Sequence, residues 1–368
     1  MADYVQEGLQ SDDNIREMLL NQLEAVWNQE YEILMATCPV LNQTNLATPI
    51  KVLDVGCGVG AFACKFAQTF PNAIITGIDL EERNVRQAQQ LAAESHENGK
   101  IKADQCRFFA ADAYYLFLDN DCSTVSPIRD EINTFDIVCC RSTLYAVNKP
   151  EKIIEQLLLA AKPQSGILHL LVEDYGMLFA HPTQLDNPRY WREGTCAALA
   201  NTGTNPFMAR KTFHIAYHAV HRVFNSPTLS SPALNPSSRS NSASAASLSH
   251  SSSPPSSSTP PSSSSCSDAA CASNQGPEDV PDIAALATIG VDYVHVDSCR
   301  TDRRLLASIF RSWLEGYAEF VEANTKLSRQ EVEDNLKDLI ECTLRPDSYV
   351  CWQLLVCTVS LHLAKDPS

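Results

Sequence analysis

The stretch KVLDVGCGVGAFA, Lys51 to Ala63, constrains the fold more than any other. The apolar residues Val52, Leu53 and Val55 form a short run of strand type. It meets Gly56, Gly58 and Gly60, and an amphipathic run of helical type follows. Alternating glycines weaken both strand and helix, yet they make a tight turn that lets a ligand approach the main chain. The following helix turns its free N–H groups and positive dipole end toward that turn, which suits a carboxylate or phosphate. Gly56, Gly58 and Ala61 satisfy the relaxed dinucleotide fingerprint G-x-G-x-x-G/A, with Asp79 near the position of the ribose-binding acid. A nicotinamide or flavin enzyme is therefore one reading.

Asp54 points elsewhere. A carboxylate two residues before the first glycine would repel a pyrophosphate, but it faces an ammonium or sulfonium favourably. D-x-G-x-G-x-G here resembles motif I of class I S-adenosylmethionine (SAM) methyltransferases. The acid in ITGIDLEE, Asp79, and FFAADAYYL, Phe108 to Leu116, resemble that family's ribose and adenine motifs. The resemblance implies that Asp54 and the glycine turn hold the methionine end of SAM, Asp79 the ribose and Asp112 the adenine amine. It places cofactor contacts at Asp54, Gly56, Cys57, Gly58, Gly60, Asp79, Leu80, Ala111, Asp112, Ala113, Cys140 and Arg141.

The order of elements agrees with such a fold. Strands are expected at Lys51–Val55, Ala73–Ile78, Cys106–Ala110, Phe135–Cys140 and Gly166–Val172. Helices are expected at about Ala61–Phe70, Glu82–Ser95 and Pro150–Ala161. This alternation predicts an α/β, doubly wound, mostly parallel seven-stranded sheet of Rossmann-like type, whose ligands gather at the carboxyl ends of the strands. Apolar residues at helical spacing between Ser11 and Leu34 predict a core-facing helix; the resemblance implies that this N-terminal segment covers the cofactor as a lid, with Tyr4, Gln22 or Trp27 lining the pocket. Asp119 to Asn133 reads as an extended loop.

The stretch Asn225 to Asp282 is rich in serine and proline and poor in large apolar residues. It reads as a disordered insertion that offers little surface to bury. The domain accordingly divides into residues 1–224, the insertion 225–282, and a completing part 283–368. That part should hold a short helical piece Ile283–Ile289, a strand Gly290–Asp297, a helix with the stripe Leu305, Ile309, Trp313 and Tyr317, a capping box from Ser328 to Glu331, and a last strand Tyr349–Leu361.

Composition narrows the function. A formal net charge of −16 weighs against nucleic acid, which needs a basic face. The 14 cysteines lack any C-x-x-C pair, so no structural metal site is expected, and their spacing reads as buried thiols of a reducing compartment. No apolar run approaches a membrane span, and the N-terminal residues have no leader-like character, so a cytoplasmic enzyme with a small-molecule partner is expected.

The acceptor side should be built after the fourth and fifth strands, where RSTLYAV and EDYGMLFAHP supply Arg141, Ser142, Tyr145, Glu173, Asp174, Tyr175 and His181. Asp174, Tyr175 and Arg141 are the residues expected to carry catalysis. EDYGM, TGTNPFMARK, VDYVHVDS, WLEGY, LSRQEVED and YVCWQ, in that order, resemble a subgroup of small-molecule class I methyltransferases from bacteria and filamentous fungi. Members usually carry glycine where this chain has Ala209. The resemblance extends to fungal S-methyltransferases that cap dithiols of secondary metabolites such as gliotoxin, and so implies a thiol acceptor. A protein-modifying methyltransferase and a non-catalytic SAM-binding regulator share the same motifs.

Overall fold

The computed structural model describes residues 12–43, 48–117, 126–225 and 286–362. The serine-rich stretch from 226, Tyr4, and the first three residues of the expected helical piece at Ile283–Ile289 lie outside these residues. The end of that piece, Ala287–Ile289, is strand instead.

The strands are β1 (Ile50–Val55), β2 (Ala73–Asp79), β3 (Cys106–Ala110), β4 (Ile137–Arg141), β5 (Ile167–His181), β6 (Ala287–Asp297) and β7 (Tyr349–Leu361). They form one seven-stranded sheet in the order β3-β2-β1-β4-β5-β7-β6. The first five are mutually parallel, and β7 runs antiparallel to both neighbours. The order reverses direction between β1 and β4, which opens a crevice at their carboxyl ends. The expected doubly wound sheet is therefore present. Its last two strands come from the far side of the serine-rich stretch.

Central strands are apolar on both faces because helices cover both. Val52, Leu53, Ile137, Val138 and Leu168 are fully buried. The crossover helices are α2 (Ala61–Thr69), α3 (Glu82–Glu97) and α4 (Pro150–Ala160). α4 buries Ile153, Ile154, Leu157 and Leu158, and α7 (Ala209–Asn225) packs beside it. Between β5 and α7, a helical segment runs through α5 (Asn187–Trp191), a π-helical turn (Arg192–Cys196) and α6 (Ala197–Asn201).

The predicted lid helix is α1 (Asp12–Thr37), which packs on α8 (Arg303–Asn324) and β6. α8 in turn packs on α9 (Arg329–Leu344), which opens with the expected capping box: Ser328 accepts from the Glu331 N–H, and the Glu331 carboxylate accepts from the Ser328 N–H. α1 is fixed by side chain as well as by packing. Gln29 Nε2 donates to the His295 carbonyl at 2.7 Å, and Gln29 Oε1 accepts from the His295 N–H at 3.0 Å.

β5 departs most from expectation. EDYGMLFAHP reads as an exposed polar turn, but the strand continues to His181 and holds this sequence in an irregularity between Glu173 and Leu178. There, Glu173 pairs with Leu354 and Leu178 with Trp352, so residues 174–177 face a single β7 residue. Part of the expected loop 119–133 is also ordered, as a short 3-10 turn at Arg129–Glu131.

The described cysteines are free thiols, and among them Cys299 is exposed. No helix of the described residues is long and apolar enough to cross a membrane.

Candidate active site

A cavity of about 440 Å³ lies over the carboxyl ends of β1, β2, β4 and β5, beneath α1. Its floor begins with the glycine turn. Gly56, Gly58 and Gly60 all have positive φ, at 73°, 52° and 76°. The N–H groups of Gly56 and Cys57 both donate to the Ile78 carbonyl, which fastens the turn to the end of β2. At Gly56, a Cβ would fall 2.1 Å from Thr143 Oγ1; at Gly60, 2.8 Å from the Ala88 Cβ. Protein packing thus fills the space beside both. At Gly58 the nearest atom is Leu19 Cδ1 of α1, at 3.7 Å, so this glycine keeps the cavity open.

Asp79 completes the turn. Its Oδ2 accepts from the Gly58 N–H at 2.8 Å, and its Oδ1 accepts from the Glu81 N–H at 3.0 Å and Asn84 Nδ2 at 3.1 Å. The carboxylate is held rigidly on the cavity wall before any ligand arrives. Asp112, on the wall beyond it, accepts from the Tyr114 N–H and caps a one-turn 3-10 helix.

Asp54 is buried, and its Oδ2 has no hydrogen-bond partner. Burial pushes its carboxyl up to about 7. Arg141 opposes the rise, while Glu30 and Asp79 add to it. A buried, unpartnered acid on a cavity wall is stabilised by a cation brought in by a ligand.

On the other side of the cavity, Glu173 at the irregularity in β5 repeats the pattern. It is 3% exposed and its Oε2 is unpartnered. Burial pushes its carboxyl up to about 7, against the lowering pull of a Ser142 hydrogen bond and of Arg141. Ser142, just after β4, has φ 52°, a left-handed conformation that a side chain rarely adopts, on the cavity wall. Aromatic rings close this half. Tyr145 meets Tyr175 edge-on at 5.3 Å, and Trp313 meets Trp352 edge-on at 5.5 Å.

Residues 48–208, which contain the glycine turn and both wall acids, match the family model of a methyltransferase domain. This segment is similar to a methyltransferase domain. The chain is 30% identical over 128 residues to a ubiquinone biosynthesis O-methyltransferase of Pasteurella multocida, a match covering 35% of this chain and 48% of that protein. It is 35% identical over 95 residues to a malonyl-[acyl-carrier protein] O-methyltransferase of Geobacter sulfurreducens, covering 26% and 28%. The chain spans about half, or less, of the length of these curated relatives. Among solved structures, a phosphoethanolamine N-methyltransferase of Haemonchus contortus aligns with 13% identity and a TM-score of 0.43. That alignment covers 92% of this chain and 53% of that one.

The cavity places most of the expected cofactor residues on one surface. Asp54, Gly56, Cys57, Gly58, Asp79, Leu80, Ala111, Asp112, Ala113 and Arg141 line the cavity. Two do not. Gly60 is the left-handed N-cap of α2 and packs against α3, and Cys140 is wholly buried in β4.

The expected catalytic residues separate further. Tyr175 lines the cavity, but Asp174 does not. Neighbouring strand residues point to opposite faces, and Asp174 turns to Arg210, accepting from Nε at 2.6 Å and from a terminal nitrogen at 3.1 Å. On this side of the cavity, the lining carboxylate is its neighbour Glu173. Arg141 lines the cavity, but its guanidinium is held by Glu30 of α1 through a bidentate pair at 2.7 and 2.8 Å, and stacks over Phe62. His169 joins the same Glu30 at 3.0 Å. Of the expected lid residues, Gln22 reaches the cavity, whereas Trp27 packs against Tyr31 and Phe62. Trp313, more simply read as core, is both buried and on the cavity wall.

The residues lining this cavity fit SAM. The unpartnered Asp54 suits a cationic methionine end, the open face of Gly58 admits a ligand to the main chain, and Asp79 and Asp112 stand on the wall beyond.

Proposed function

We propose that this protein transfers a methyl group from SAM to a small-molecule acceptor bound between Glu173 and the aromatic wall. Asp54, the Gly56–Gly58 turn, Asp79 and Asp112 hold the donor. The sulfonium supplies an already activated methyl carbon, and the protein's task is to align the acceptor and shield it from water. α1 and the rings of Tyr145, Tyr175, Trp313 and Trp352 exclude water. Glu173 holds the proton that leaves the acceptor. A carboxyl raised to about 7 is matched to a thiol or phenol near neutral pH, being ionised often enough to accept and basic enough to do so usefully.

The observation that carries this reading is the pair of buried acids, Asp54 and Glu173, each with one unpartnered oxygen, on the walls of one cavity. The acceptor class we favour is a thiol of a secondary metabolite, supported by the motif order from EDYGM to YVCWQ. Cysteine-type thiols ionise near neutrality and need little help from a base. Calorimetric titration with SAM, S-adenosylhomocysteine and NAD, followed by turnover on small thiols, phenols and amines, tests both levels. Binding of the adenosyl ligands with turnover of thiols is the expected result. Binding of NAD alone would return the glycine turn to the dinucleotide reading, and SAM binding without turnover on any acceptor class would favour a regulator.

A further inference from the structure

Two polar atoms with opposite needs stand unpartnered on the acceptor side. Glu173 Oε2 receives no donor, and Trp352 Nε1–H finds no acceptor. Both residues line the cavity, and they are 3% and 2% exposed. The sheet explains why they are neighbours. Glu173 pairs with Leu354 and Leu178 with Trp352 across β5 and β7, so Trp352 stands two residues along β7 from the partner of Glu173, on the same face. A buried N–H without a partner is rare in folded proteins, and a ligand oxygen would satisfy it. The surroundings are aromatic and apolar: Tyr145, Tyr175, Trp313 and Leu354. Such walls favour a flat, unsaturated guest.

We infer that Trp352 is a specificity-determining residue whose indole N–H binds an oxygen carried beside the group that is methylated. The inference rests on the methyl-transfer reading, in which Glu173 takes the acceptor proton. The acceptor class is then a flat thiol or phenol with a carbonyl or ether oxygen on the neighbouring carbon. In the transfer, the acceptor X–H proton passes to Glu173, and the lone pair on X forms the bond to the methyl carbon. The methyl–sulfur bond breaks, its electron pair stays on sulfur, and a neutral thioether leaves. An ammonium acceptor fits less well, because the indole N–H presents the positive edge of a dipole to the site.

The test compares methyl 2-mercaptobenzoate with its 4-mercapto isomer, which has the same thiol and ester but cannot bring the carbonyl beside the sulfur. The wild-type protein should prefer the 2-isomer in kcat/KM by about tenfold or more, the scale of one hydrogen bond to a buried donor. Trp352→Phe should reduce that ratio toward one, with SAM affinity and melting temperature recorded on the same preparation. Equal use of the isomers, a ratio unchanged in Trp352→Phe, preference for benzylamine, or no turnover of the 2-isomer by protein that binds SAM would each overturn the assignment. If the variant fails to fold, the wild-type isomer ratio decides alone. Failure of the wild-type protein to bind SAM would instead overturn the methyl-transfer reading.

Discussion

Glu30 and Glu173 are the same residue type at nearly the same burial, 0% and 3% exposed, and their surroundings move them in opposite directions. Burial alone would raise both. At Glu30 the rise is overcome by Arg141 and His169, and the carboxyl settles at about 2. At Glu173 burial outweighs the Ser142 hydrogen bond and the more distant pull of Arg141, and the carboxyl settles at about 7. One acid is finished by the fold; the other is left for something the fold does not contain. A buried ionisable group therefore marks a functional site by what fails to reach it as much as by its depth.

The comparison breaks most readily at Glu30. Glu30→Gln leaves the buried Arg141 without its counter-charge, and should cost on the order of 3–5 kcal/mol in urea denaturation at neutral pH. A loss below about 1 kcal/mol would mean that the pair is better solvated than its burial shows. Because the folded value lies below the ordinary one, this stabilisation is present above about pH 4.5 and is lost as pH falls toward 2.

Glu173→Gln should behave in the opposite sense. Turnover should fall about 100-fold at pH 7.5, the usual scale for removing a proton acceptor. Wild-type kcat/KM should rise with pH up to about 7 and then level, a limb that the variant lacks. Stability sharpens the contrast. An acid whose folded value is raised costs stability as pH climbs from about 4.5 to 7, so the variant should match wild type at pH 5 and exceed it at pH 8 by on the order of 1–3 kcal/mol. A variant less stable at pH 8 would show that the Ser142 hydrogen bond and Arg141 outweigh the cost of burying the Glu173 charge.

Asp79→Ala should weaken SAM binding by roughly 1–3 kcal/mol in calorimetry, through the lost ligand contact and through the unpartnered Gly58 N–H that it leaves in the turn. Unchanged affinity in a folded variant would remove Asp79 from the donor site. The smallest effect should come from Asp174→Asn: its ion pair ends on a largely exposed Arg210, so stability should change by about 1 kcal/mol or less and turnover should stay near wild type. A hundredfold loss of turnover would restore Asp174 to the chemistry.

The glycine turn, Asp54, Asp79 and Asp112 were legible in the sequence because their signals are local: fixed spacing around the first strands, each acid at a strand end. The sheet followed from alternation. Asp174 and Glu173 were harder to tell apart, because a strand sends neighbours to opposite faces and one residue of phase decides which acid sees the cavity. The irregularity at 174–177 hides that phase further. Glu30 could not be paired with Arg141 from spacing, since they stand 111 positions apart on different elements. Trp352 carried a signal only in retrospect, through the period of two that sets it on the same face as Leu354.

The anchoring of α1 has a further consequence for how the protein comes into being. Gln29 bonds to the His295 backbone across 266 positions of sequence, and Asn21 to Ser308 across 287. α1 precedes in the chain much of the surface it docks on, so it is synthesised before that surface exists. Contacts this distant slow assembly, because chain entropy is lost before they form. The cavity should therefore close late, with α1 waiting for β6 and α8 before the cavity acquires a roof.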